Sequence, residues 1–510
     1  MAMRRGAPCR RRAARFVLVG VLCSALLACG GSSTRIRPRA PNIVVFLADD
    51  HGQWACGPCG NTEIVTPNLS RLAASGLMLT RATSPAPVCS PARASLLTGR
   101  IPSQHGIHDF ISETAAFDRD WLAGEILLPE LLQRAGFRTA LVGKWHLGSN
   151  SLRPNRAFDR WISFNVGPQG WRNQYLHRGV VHISNQGVPD TLDGYPIEEL
   201  VPMALDFIDH GRAETPFFIL FAPTETHAPF EGHPERWVDR YRDSDFVEVP
   251  RGERAHLPVA GDHAVAPDRL EEMLAQYYAA VSHQDEQLGV ILDGLEARGL
   301  LENTLVVYTS DHGHMNGHHG LVGKANATVP QNFYEETIRV PMILSWPSGL
   351  PIAGEVMDIP FDHCDLFQTI LDGAAVKVDA ATLERIDSPG RSLFDIVRNP
   401  AVQWRSVQFT EHGNARMVSD GRGKLVRRYP PRDPLFGDEF FDLQADPRET
   451  TNRIGDPRYA DRISVMSAIL DEHFARYEVP EHSGLRVMEA PPFNGREPWR
   501  RTAAGISPPE

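Results

Sequence analysis

Short hydrophobic runs recur along this chain, and each of them stops at a polar cluster or a turn. Continuous runs of β-branched and aromatic residues are typical of strands that are buried on both faces, as in a parallel sheet. Segments with the spacing of amphipathic helices lie between the runs. The pattern therefore predicts an α/β fold in which a large sheet, mixed but mostly parallel, is sandwiched by helices. The predicted strands are residues 43–48, 139–142, 217–222, 305–310 and 340–346.

Three segments carry clear helix patterns. Residues 66–76 combine Thr66, a predicted capping residue, with a proline at the first helical position and a glycine stop. Residues 128–136 repeat the proline start and the glycine stop, and residues 270–298 carry an apolar stripe along one side. This stripe contains Leu274, Tyr278, Val281, Leu288 and Leu292. Because strands of such a sheet end at one edge, polar clusters that follow separate strands are expected to form one site.

The pattern changes near residue 380. Short antiparallel strands are predicted at residues 407–410, 415–418, 424–427 and 439–443, followed by a final helix at residues 459–477. The sequence thus predicts a larger α/β domain at residues 42–379. A smaller C-terminal α+β domain at residues 380–510 is expected to hold a short antiparallel sheet, a helix and a polar tail.

The N-terminus is typical of an export signal. Residues 1–28 contain a basic stretch and then an apolar run that is too short to span a bilayer comfortably. Leu-Leu-Ala-Cys at residues 26–29 resembles a bacterial lipobox, which implies a lipoprotein signal peptide, lipidation of Cys29 and a tether at residues 29–41. We therefore expect an exported protein, lipid-anchored at the outer membrane, in the periplasm or at the cell surface. A plain signal peptide and a single membrane anchor stay open as alternatives.

The charge balance excludes one class of partner. The first 28 residues carry six arginines and no acidic residue, so removing them lowers the formal net charge of the 510-residue chain from −11 to −17. Proteins that bind nucleic acid nonspecifically depend on neutralising phosphates, which an acidic protein does poorly. We predict no nucleic-acid partner. An anionic substrate would need a local cluster of positive side chains.

Four of the seven cysteines lie beyond the predicted signal and lipobox, namely Cys56, Cys59, Cys89 and Cys364. They are too few for a disulfide framework in a chain of this size. Cys56 and Cys59 have the spacing of a redox pair and could close a local disulfide in an oxidising compartment. They could equally be ordinary loop cysteines, and the sequence leaves both interpretations open.

Cys89 belongs to the most specific motif, Cys-Ser-Pro-Ala-Arg at residues 89–93, followed by Leu-Thr-Gly-Arg at residues 97–100. The proline and the helix-forming run place Cys89 near a helix N-terminus, where backbone N–H groups and the helix dipole favour an anion. Arg93 follows one turn later. The motif resembles that of the formylglycine-dependent type I sulfatases, of the alkaline phosphatase superfamily. The resemblance implies that a formylglycine-generating maturation enzyme oxidises Cys89 to 3-oxoalanine.

Two polar pairs are candidate metal ligands, because each follows a predicted strand. Asp49 and Asp50 supply carboxylates, and Asp311 and His312 supply a carboxylate and an imidazole. The resemblance implies that these four residues bind calcium together with the modified Cys89. Calcium suits a site that is rich in carboxylates. His312 stands where many sulfatases have asparagine or glutamine, which leaves Mn²⁺ or Mg²⁺ possible.

The resemblance also assigns the remaining candidate site residues. Arg93, Lys144, His227 and Lys324 would neutralise the sulfate oxygens, which is where the transition state needs positive groups. Asp311 would take the proton of the attacking hydroxyl of the hydrated aldehyde, His227 or Lys324 would assist the departing alcohol, and His146 would deprotonate the second hydroxyl. His319 and Asn326 are further candidates for binding substrate. Other loop residues that could line a sugar pocket are His108, Trp171, Arg172, His318 and Arg416.

The resemblance covers residues 41 to 452 and makes the α/β domain the catalytic one. It implies a sulfuric ester hydrolase that removes sulfate from a sulfated carbohydrate or an aryl sulfate, using a formylglycine hydrate and a divalent cation. Two alternatives stay open. One is a phosphodiester or phosphonate monoester hydrolase of the same superfamily, and the other is a noncatalytic sulfoglycan-binding lipoprotein in which Cys89 is never converted.

Overall fold

The computed structural model describes residues 40–112, 119–148, 153–164, 175–212, 214–430 and 434–501. The predicted signal peptide, Cys29, Trp171 and Arg172 lie outside the described residues. The limits of the two predicted domains stay predictions. Among the helices of the described part, none is both long and apolar enough to cross a bilayer.

Ten strands form the larger sheet. They are β1 (Asn42–Ala48), β2 (Leu77–Thr83), β3 (Arg138–Gly143), β4 (Arg160–Phe164), β5 (Val181–Asn185), β6 (Val188–Leu192), β7 (Phe217–Ala222), β8 (Thr304–Ser310), β9 (Met342–Ser345) and β10 (Glu355–Asp362). Their order across the sheet is β10-β2-β9-β8-β1-β7-β3-β4-β5-β6. Strands β8, β1, β7, β3 and β4 are parallel, as are β10 and β2, whereas β9, β5 and β6 run antiparallel to their neighbours. The predicted mixed, mostly parallel sheet is confirmed.

Several helices cover both faces of this sheet, and the described part of the chain contains twelve α-helices in all. They are α1 (Pro67–Ala74), α2 (Cys89–Thr98), α3 (Pro102–His105), α4 (Leu128–Arg134), α5 (Pro196–Asp209), α6 (Glu235–Tyr241), α7 (Leu270–Ala297), α8 (Glu335–Ile338), α9 (His363–Gly373), α10 (Ala380–Ile386), α11 (Phe394–Arg398) and α12 (Ala460–Tyr477). Side chains alternate between the faces of a strand. Accordingly Ile43, Val45 and Leu47 of β1 join one hydrophobic cluster, while Val44 and Phe46 join another.

The three predicted helices are present as α1, α4 and α7, and the whole predicted stripe of α7 is buried. Thr66 occupies the N-cap position of α1 as predicted, but its side chain forms no capping hydrogen bond. The hydroxyl of Thr66 is buried and has no hydrogen-bond partner in the described part of the chain. Asp285 of α7 caps the helix instead, because its carboxylate accepts hydrogen bonds from the backbone N–H groups of Asn68 at 3.0 Å and Leu69 at 2.7 Å. A side chain far away in the sequence thus satisfies the first turn of α1.

Strand β9 departs from the parallel arrangement that its continuous apolar run favours. It pairs antiparallel with both β8 and β2. Parallel neighbours need a crossover connection. Residues 311–341 contain only one α-helix, the four-residue α8, so the chain returns from the end where β8 stops. The apolar pattern correctly predicted that this strand is buried. Its direction is set by the short connection from β8, which the pattern does not describe.

The register of the central strands brings the polar clusters to one edge. Ala48 of β1 pairs with Ser310 of β8, and every residue of both strands is buried. The next residues, Asp49 and Asp311, therefore leave the sheet side by side. The predicted metal-ligand pairs meet because two fully buried strands end at the same level.

Gly143 ends β3 beside β7 and brings Lys144 to the same edge. Gly143 pairs with Ala222 and has φ +121°. A Cβ atom at this position would lie 2.0 Å from the carbonyl oxygen of Ala222, so only glycine fits. The backbone N–H of Lys144 then donates a hydrogen bond to that same carbonyl oxygen at 2.6 Å.

The C-terminal part contains the predicted antiparallel sheet. Its strands are β11 (Gln408–His412), β12 (Ala415–Ser419), β13 (Gly423–Arg428) and β14 (Glu439–Asp442), in that order, and they pack on α12. Lys424 of β13 lies with its Nζ 2.7 Å from carboxylate oxygens of both Glu335 and Glu449. Glu335 begins α8, and in the same helix the carbonyl oxygen of Thr337 accepts a hydrogen bond from Gly313 at 3.0 Å. The second sheet therefore supports the segment next to His312.

Cys56 and Cys59 form a disulfide, with their Cα atoms 5.1 Å apart. This resolves the alternative that the sequence left open. Closing so short a loop should stabilise the fold by about 2 kcal/mol on loop-closure entropy. We expect the double variant Cys56→Ser/Cys59→Ser to lose that much free energy of unfolding, measured by urea denaturation under oxidising conditions. Cys364→Ser, at a buried free cysteine, is the control for losing a thiol. An unchanged urea midpoint in the double variant would contradict the prediction.

Candidate active site

Cys89 lies at the first position of α2 and is only 1% exposed. All ten residues of α2 are buried, so the helix N-terminus points into the protein rather than to bulk solvent. Backbone N–H groups at such an end attract negative charge. The predicted placement of Cys89 at a helix N-terminus is therefore confirmed.

Arg93 lies one turn into α2 and contacts both metal-ligand pairs. Its Nε donates to Asp311 Oδ2 at 2.9 Å, and its Nη2 donates to Asp49 Oδ1 at 3.3 Å. Its Nη1 donates to the carbonyl oxygen of Lys144 at 3.0 Å. These charge-assisted hydrogen bonds fix the guanidinium beside Cys89.

The donors at this edge fit a divalent cation. Ligand atoms of Asp50, Cys89 and His312 lie within 4.8 Å of one another, and so do those of Asp49, Cys89 and Asp311. His312 Nδ1 donates to the carbonyl oxygen of Gly313 at 2.8 Å, which leaves Nε2 to point at Cys89 Sγ at 3.1 Å. A second hydrogen bond of this kind is how metal-binding histidines are usually oriented.

Two lysines and a histidine complete the cluster. Lys144 Nζ is 2.6 and 2.8 Å from the two carboxylate oxygens of Asp49. Lys324 Nζ is 2.7 Å from Asp50 Oδ1 and 3.0 Å from Cys89 Sγ. His227 Nε2 lies 3.7 Å from Asp50 Oδ2. The structure thus brings together the predicted residues from six separate segments of the chain.

Electrostatics lowers the pKa values of two of the ligand carboxylates. Burial raises the pKa of Asp50, but Lys324 and three neighbouring histidines together outweigh burial and hold that pKa well below its usual range. Burial also raises the pKa of Asp311, but the positive charges of His312 and Arg93 hold that pKa below its ordinary value. Ionised carboxylates are the form that binds a cation.

His146 also lies within reach of these charges. Burial lowers its pKa, and the positive charges of Lys144 and Arg93 lower it further, so the imidazole is neutral and able to accept a proton. Its Nε2 is 3.2 Å from the carbonyl oxygen of Ile111. Ser90 Oγ donates to the carbonyl oxygen of His146 at 2.8 Å, which links the loop to α2.

His319 and Asn326 are less well supported as substrate-binding residues. His319 is 2% exposed, its Nε2 is 3.3 Å from Glu336, and its ring stacks on Tyr334. These contacts hold it in the protein interior. Asn326 is half-buried, and its Oδ1 has no partner among the described residues. Their roles stay predictions.

Three of the predicted sugar-pocket residues have structural partners instead. His108 Nε2 is 2.7 Å from the carbonyl oxygen of His482. Both ring nitrogens of His318 contact backbone carbonyl oxygens, at 2.6 and 3.0 Å. Arg416 forms an ion pair with Glu478. Each side chain is therefore part of the packing between loops or strands.

The sequence analysis missed residues that support the Asp50 carboxylate and backbone. His314 is buried with Nε2 3.6 Å from Asp50 Oδ2. Tyr277 and Thr226 donate hydrogen bonds to the carbonyl oxygen of Asp50 at 2.9 and 3.2 Å, and Asp50 itself has φ +64°. His314 lies two residues after His312 in the sequence, and that spacing could have indicated it. Tyr277 lies on α7, and no local sequence pattern links it to the site.

A model of the Sulfatase family matches residues 41–376, well over half of the chain. The chain belongs to the sulfatase family. A second model, of the C-terminal region of N-sulphoglucosamine sulphohydrolase, matches residues 319–476. This sulfatase is accordingly a hydrolase of sulfuric esters, which confirms the enzyme class expected from the motif at residues 89–93.

Curated relatives agree with this assignment. The sulfatase is 27% identical to an ulvan-active sulfatase of Formosa agariphila over 86% of this chain and 82% of that one. It is 26% identical to an N-acetylglucosamine-6-O-sulfatase of Bacteroides thetaiotaomicron, over 86% and 87%. It is 31% identical to the N-acetylgalactosamine-6-sulfatase of Rattus norvegicus, over 72% and 67%.

Solved structures share the fold. One, in complex with its substrate D-glucosamine-2-N,6-O-disulfate, has a TM-score of 0.72 and 23% identity, covering 86% of this chain and 98% of that one. A phosphonate monoester hydrolase of Agrobacterium radiobacter has a TM-score of 0.67 and 20% identity, covering 86% and 96%. Because both kinds of enzyme are similar at these identities, the fold alone does not separate them.

The imidazole of His312 should affect which ion the sulfatase prefers. We expect His312→Asn to lower the affinity for Mn²⁺ relative to Ca²⁺, on the order of tenfold, because an amide oxygen replaces a nitrogen donor. Calorimetric titration with each ion measures this. His319→Asn, at a buried histidine outside both donor sets, should change neither affinity. An equal loss for both ions would contradict the prediction.

Proposed function

We propose that this sulfatase removes sulfate from sulfated carbohydrates, using formylglycine at residue 89 and a divalent cation. The observation that carries the proposal is the buried cluster in which Cys89, at a helix N-terminus, lies beside Lys324 and His312 and within one turn of Arg93. A cysteine that served only packing would not need carboxylates and cations arranged around its sulfur.

The charge balance of the pocket supports an anionic substrate. The carboxylates of Asp49, Asp50 and Asp311 are matched by the positive charges of Arg93, Lys144 and Lys324. A bound divalent cation would leave this pocket with net positive charge. Fixed positive groups of this kind stabilise the charge that develops on sulfate oxygens in the transition state.

Metal and modified residue would supply the chemistry that the unmodified side chains lack. Asp49, Asp50, Asp311 and His312 would hold a divalent cation, which would polarise a sulfate oxygen. Formylglycine would supply a hydrated aldehyde, whose second hydroxyl gives a covalently bound sulfate a way out.

The chain's own residues would move the protons and hold the anion. Asp311 takes a proton from the attacking hydroxyl at residue 89, and Arg93 orients that group. The pKa of Lys324 rises above its usual value because Asp50 and the other anionic neighbours together outweigh the effect of burial, so Lys324 stays charged and binds the sulfate. Lys324, or His227 once its Nε2 is protonated, gives a proton to the departing oxygen. His146, neutral for the reasons given above, accepts the proton of the second hydroxyl.

The substrate class is inferred from the relatives. The names of three of them refer to ulvan and to two N-acetylhexosamine sulfates, each a carbohydrate. A solved neighbour was crystallised with a sulfated glucosamine. We therefore propose a sulfated sugar, with an aryl sulfate as an artificial substrate.

The deciding experiment compares substrate classes with the matured protein. Free sulfate is measured from N-acetylglucosamine-6-sulfate, N-acetylgalactosamine-6-sulfate, ulvan oligosaccharides and 4-nitrophenyl sulfate, against bis(4-nitrophenyl) phosphate and a phenylphosphonate monoester. We expect at least one sulfate ester to have a kcat/KM more than about tenfold above either phosphorus ester. The reverse order would favour the second candidate, a phosphodiester or phosphonate monoester hydrolase, for which His312 is the one specific observation.

Export and anchoring are separate proposals. We propose that a maturation enzyme converts Cys89 and that Cys29 is lipidated at the outer membrane. The support is the motif at residues 89–93 and the lipobox-like residues 26–29. Labelling of cells with an alkyne fatty acid should tag the wild type but not Cys29→Ser. An untagged wild-type protein would favour a plain signal peptide.

A further inference from the structure

Two side chains from the segment before β5, Tyr175 and His177, contact His227. The ring of Tyr175 stacks on the imidazole of His227, with ring centroids 3.9 Å apart and planes inclined by 13°. His177 Nε2 lies 2.7 Å from the carbonyl oxygen of His227. Because a carbonyl oxygen only accepts, His177 Nε2 is the donor. Tyr175 and His177 are both buried, and the proposed reaction uses neither.

The orientation of the His227 ring needs such support. Its Nδ1 donates to the carbonyl oxygen of Ala228 at 2.6 Å, and this leaves Nε2 facing Asp50. The torsion that turns an imidazole about its Cβ–Cγ bond has broad minima, so rotamer preference alone does not fix the ring. A flat neighbour at van der Waals distance fixes the His227 ring, because the imidazole would collide with that neighbour if it turned. Tyr175 is that neighbour.

Tyr175 also faces Lys144, but Lys144 has its own support. Lys144 Nζ lies 5.0 Å from the centroid of the Tyr175 ring, within the range of a cation–π contact. The ammonium is held independently by both carboxylate oxygens of Asp49. Loss of the Tyr175 ring should therefore disturb His227 more than Lys144.

His177 is itself held by a stacked neighbour. Its ring lies against that of His233, with centroids 4.3 Å apart and planes inclined by 30°. The hydrogen bond from His177 to the backbone of His227 thus starts from a side chain fixed by packing. Tyr175 restrains the imidazole, and His177 restrains the backbone that carries it.

We propose that Tyr175 and His177 are positioning residues that keep Nε2 of His227 directed at the substrate anion. This inference rests on the proposed function, in which His227 contacts the sulfate or the departing oxygen. Tyr175 restrains the imidazole with its aromatic face, so Tyr175→Phe, which keeps the ring, should retain more activity than Tyr175→Ala. His177 acts as a hydrogen-bond donor, so His177→Gln should retain more activity than His177→Ala.

A double-mutant cycle tests whether Tyr175 acts through His227. Tyr175→Ala should lower kcat/KM for 4-nitrophenyl sulfate about threefold to tenfold, the value of a stacked aromatic pair. In a His227→Ala background the same change should cost less than about twofold, because the two side chains are coupled. An equal loss in both backgrounds, or no loss in either, would overturn the proposal. Tyr175→Leu, which keeps bulk without a flat ring, replaces Tyr175→Ala if that variant does not fold.

Phe409 supplies a matched control. It stacks on His473 with centroids 3.7 Å apart and planes inclined by 10°, nearly the geometry of the Tyr175 pair, but in the C-terminal sheet and α12. Phe409→Ala removes the same kind of contact and should leave kcat/KM unchanged in both backgrounds. A loss as large as that of Tyr175→Ala would mean that the cycle reports general loosening of the fold, and would count against positioning.

A structural readout separates this inference from the proposed function. In a crystal structure of Tyr175→Ala, the His227 ring should turn and lose its hydrogen bond to Ala228. A ring that keeps its orientation would overturn the inference even if the enzyme is an active sulfatase. A turned ring in a protein that hydrolyses no sulfate ester would support the positioning by Tyr175 and refute the proposed function alone.

Discussion

Cys89→Ala should retain less than about 10⁻⁴ of the wild-type kcat on every sulfate ester, the scale of loss when a nucleophile is removed. The neighbouring Ser90 cannot substitute, because its hydroxyl donates to the carbonyl oxygen of His146 and lies in that contact. Alanine is a good helix former at the start of α2, so the fold should persist. Sulfate release measures the loss, and thermal denaturation of the same preparation checks the fold.

Cys89→Ser distinguishes an aldehyde from an ordinary oxygen nucleophile. A serine that mass spectrometry shows to be unmodified can be sulfated but has no second hydroxyl to release the sulfate. We expect at most one turnover per molecule. Repeated turnover by the serine variant, or an intact thiol at Cys89 in active wild-type protein, would contradict the formylglycine mechanism.

Arg93→Ala should lower the free energy of unfolding by about 3–5 kcal/mol, because it takes the closest cation from the buried carboxylate of Asp311 and one of two cations from that of Asp49. Both of these carboxylates, on Asp49 and Asp311, are 0% exposed and cannot be solvated in place. Urea denaturation of the metal-free protein measures the change. A midpoint equal to that of the wild type would show that the pocket relaxes to admit water.

Arg405 is the control for this variant. Its guanidinium forms partly buried ion pairs with Asp362, at the end of β10, and with Asp365, on α9. Arg405→Ala should also destabilise the protein, yet its folded fraction should keep wild-type kcat. Arg93→Ala should lose stability and activity together. Equal activity in the two variants would remove Arg93 from the proposed chemistry.

The central strands and the site could be predicted from the sequence for a physical reason. Strands such as β1 and β8 are buried on both faces, so most of their residues are apolar and each contains an unbroken apolar run. Polar residues that follow them, such as Asp49 and Asp311, stand out against that background. The motif that begins at Cys89 added the chemistry, which burial alone does not specify.

Features that depend on contacts across the fold were not predictable in this way. β6 has only one buried residue, so its pattern is that of a loop. The cap that Asp285 supplies to α1, and the stack of Tyr175 on His227, join segments whose proximity no local spacing indicates. The contacts of His319 with Glu336 and Tyr334 were likewise not indicated by its family-like motif, and its role in binding substrate stays a prediction.

Lys424 gives the C-terminal sheet an influence on ion retention. Its ammonium neutralises Glu335, and the helix that starts there hydrogen-bonds the glycine next to His312. A chain cut before residue 424, or one carrying Lys424→Met, would lose the closest cation of the Glu335 carboxylate in that helix. We therefore expect such a change, although it is far from the pocket, to increase the dissociation rate of the bound cation while every residue of the pocket is still present.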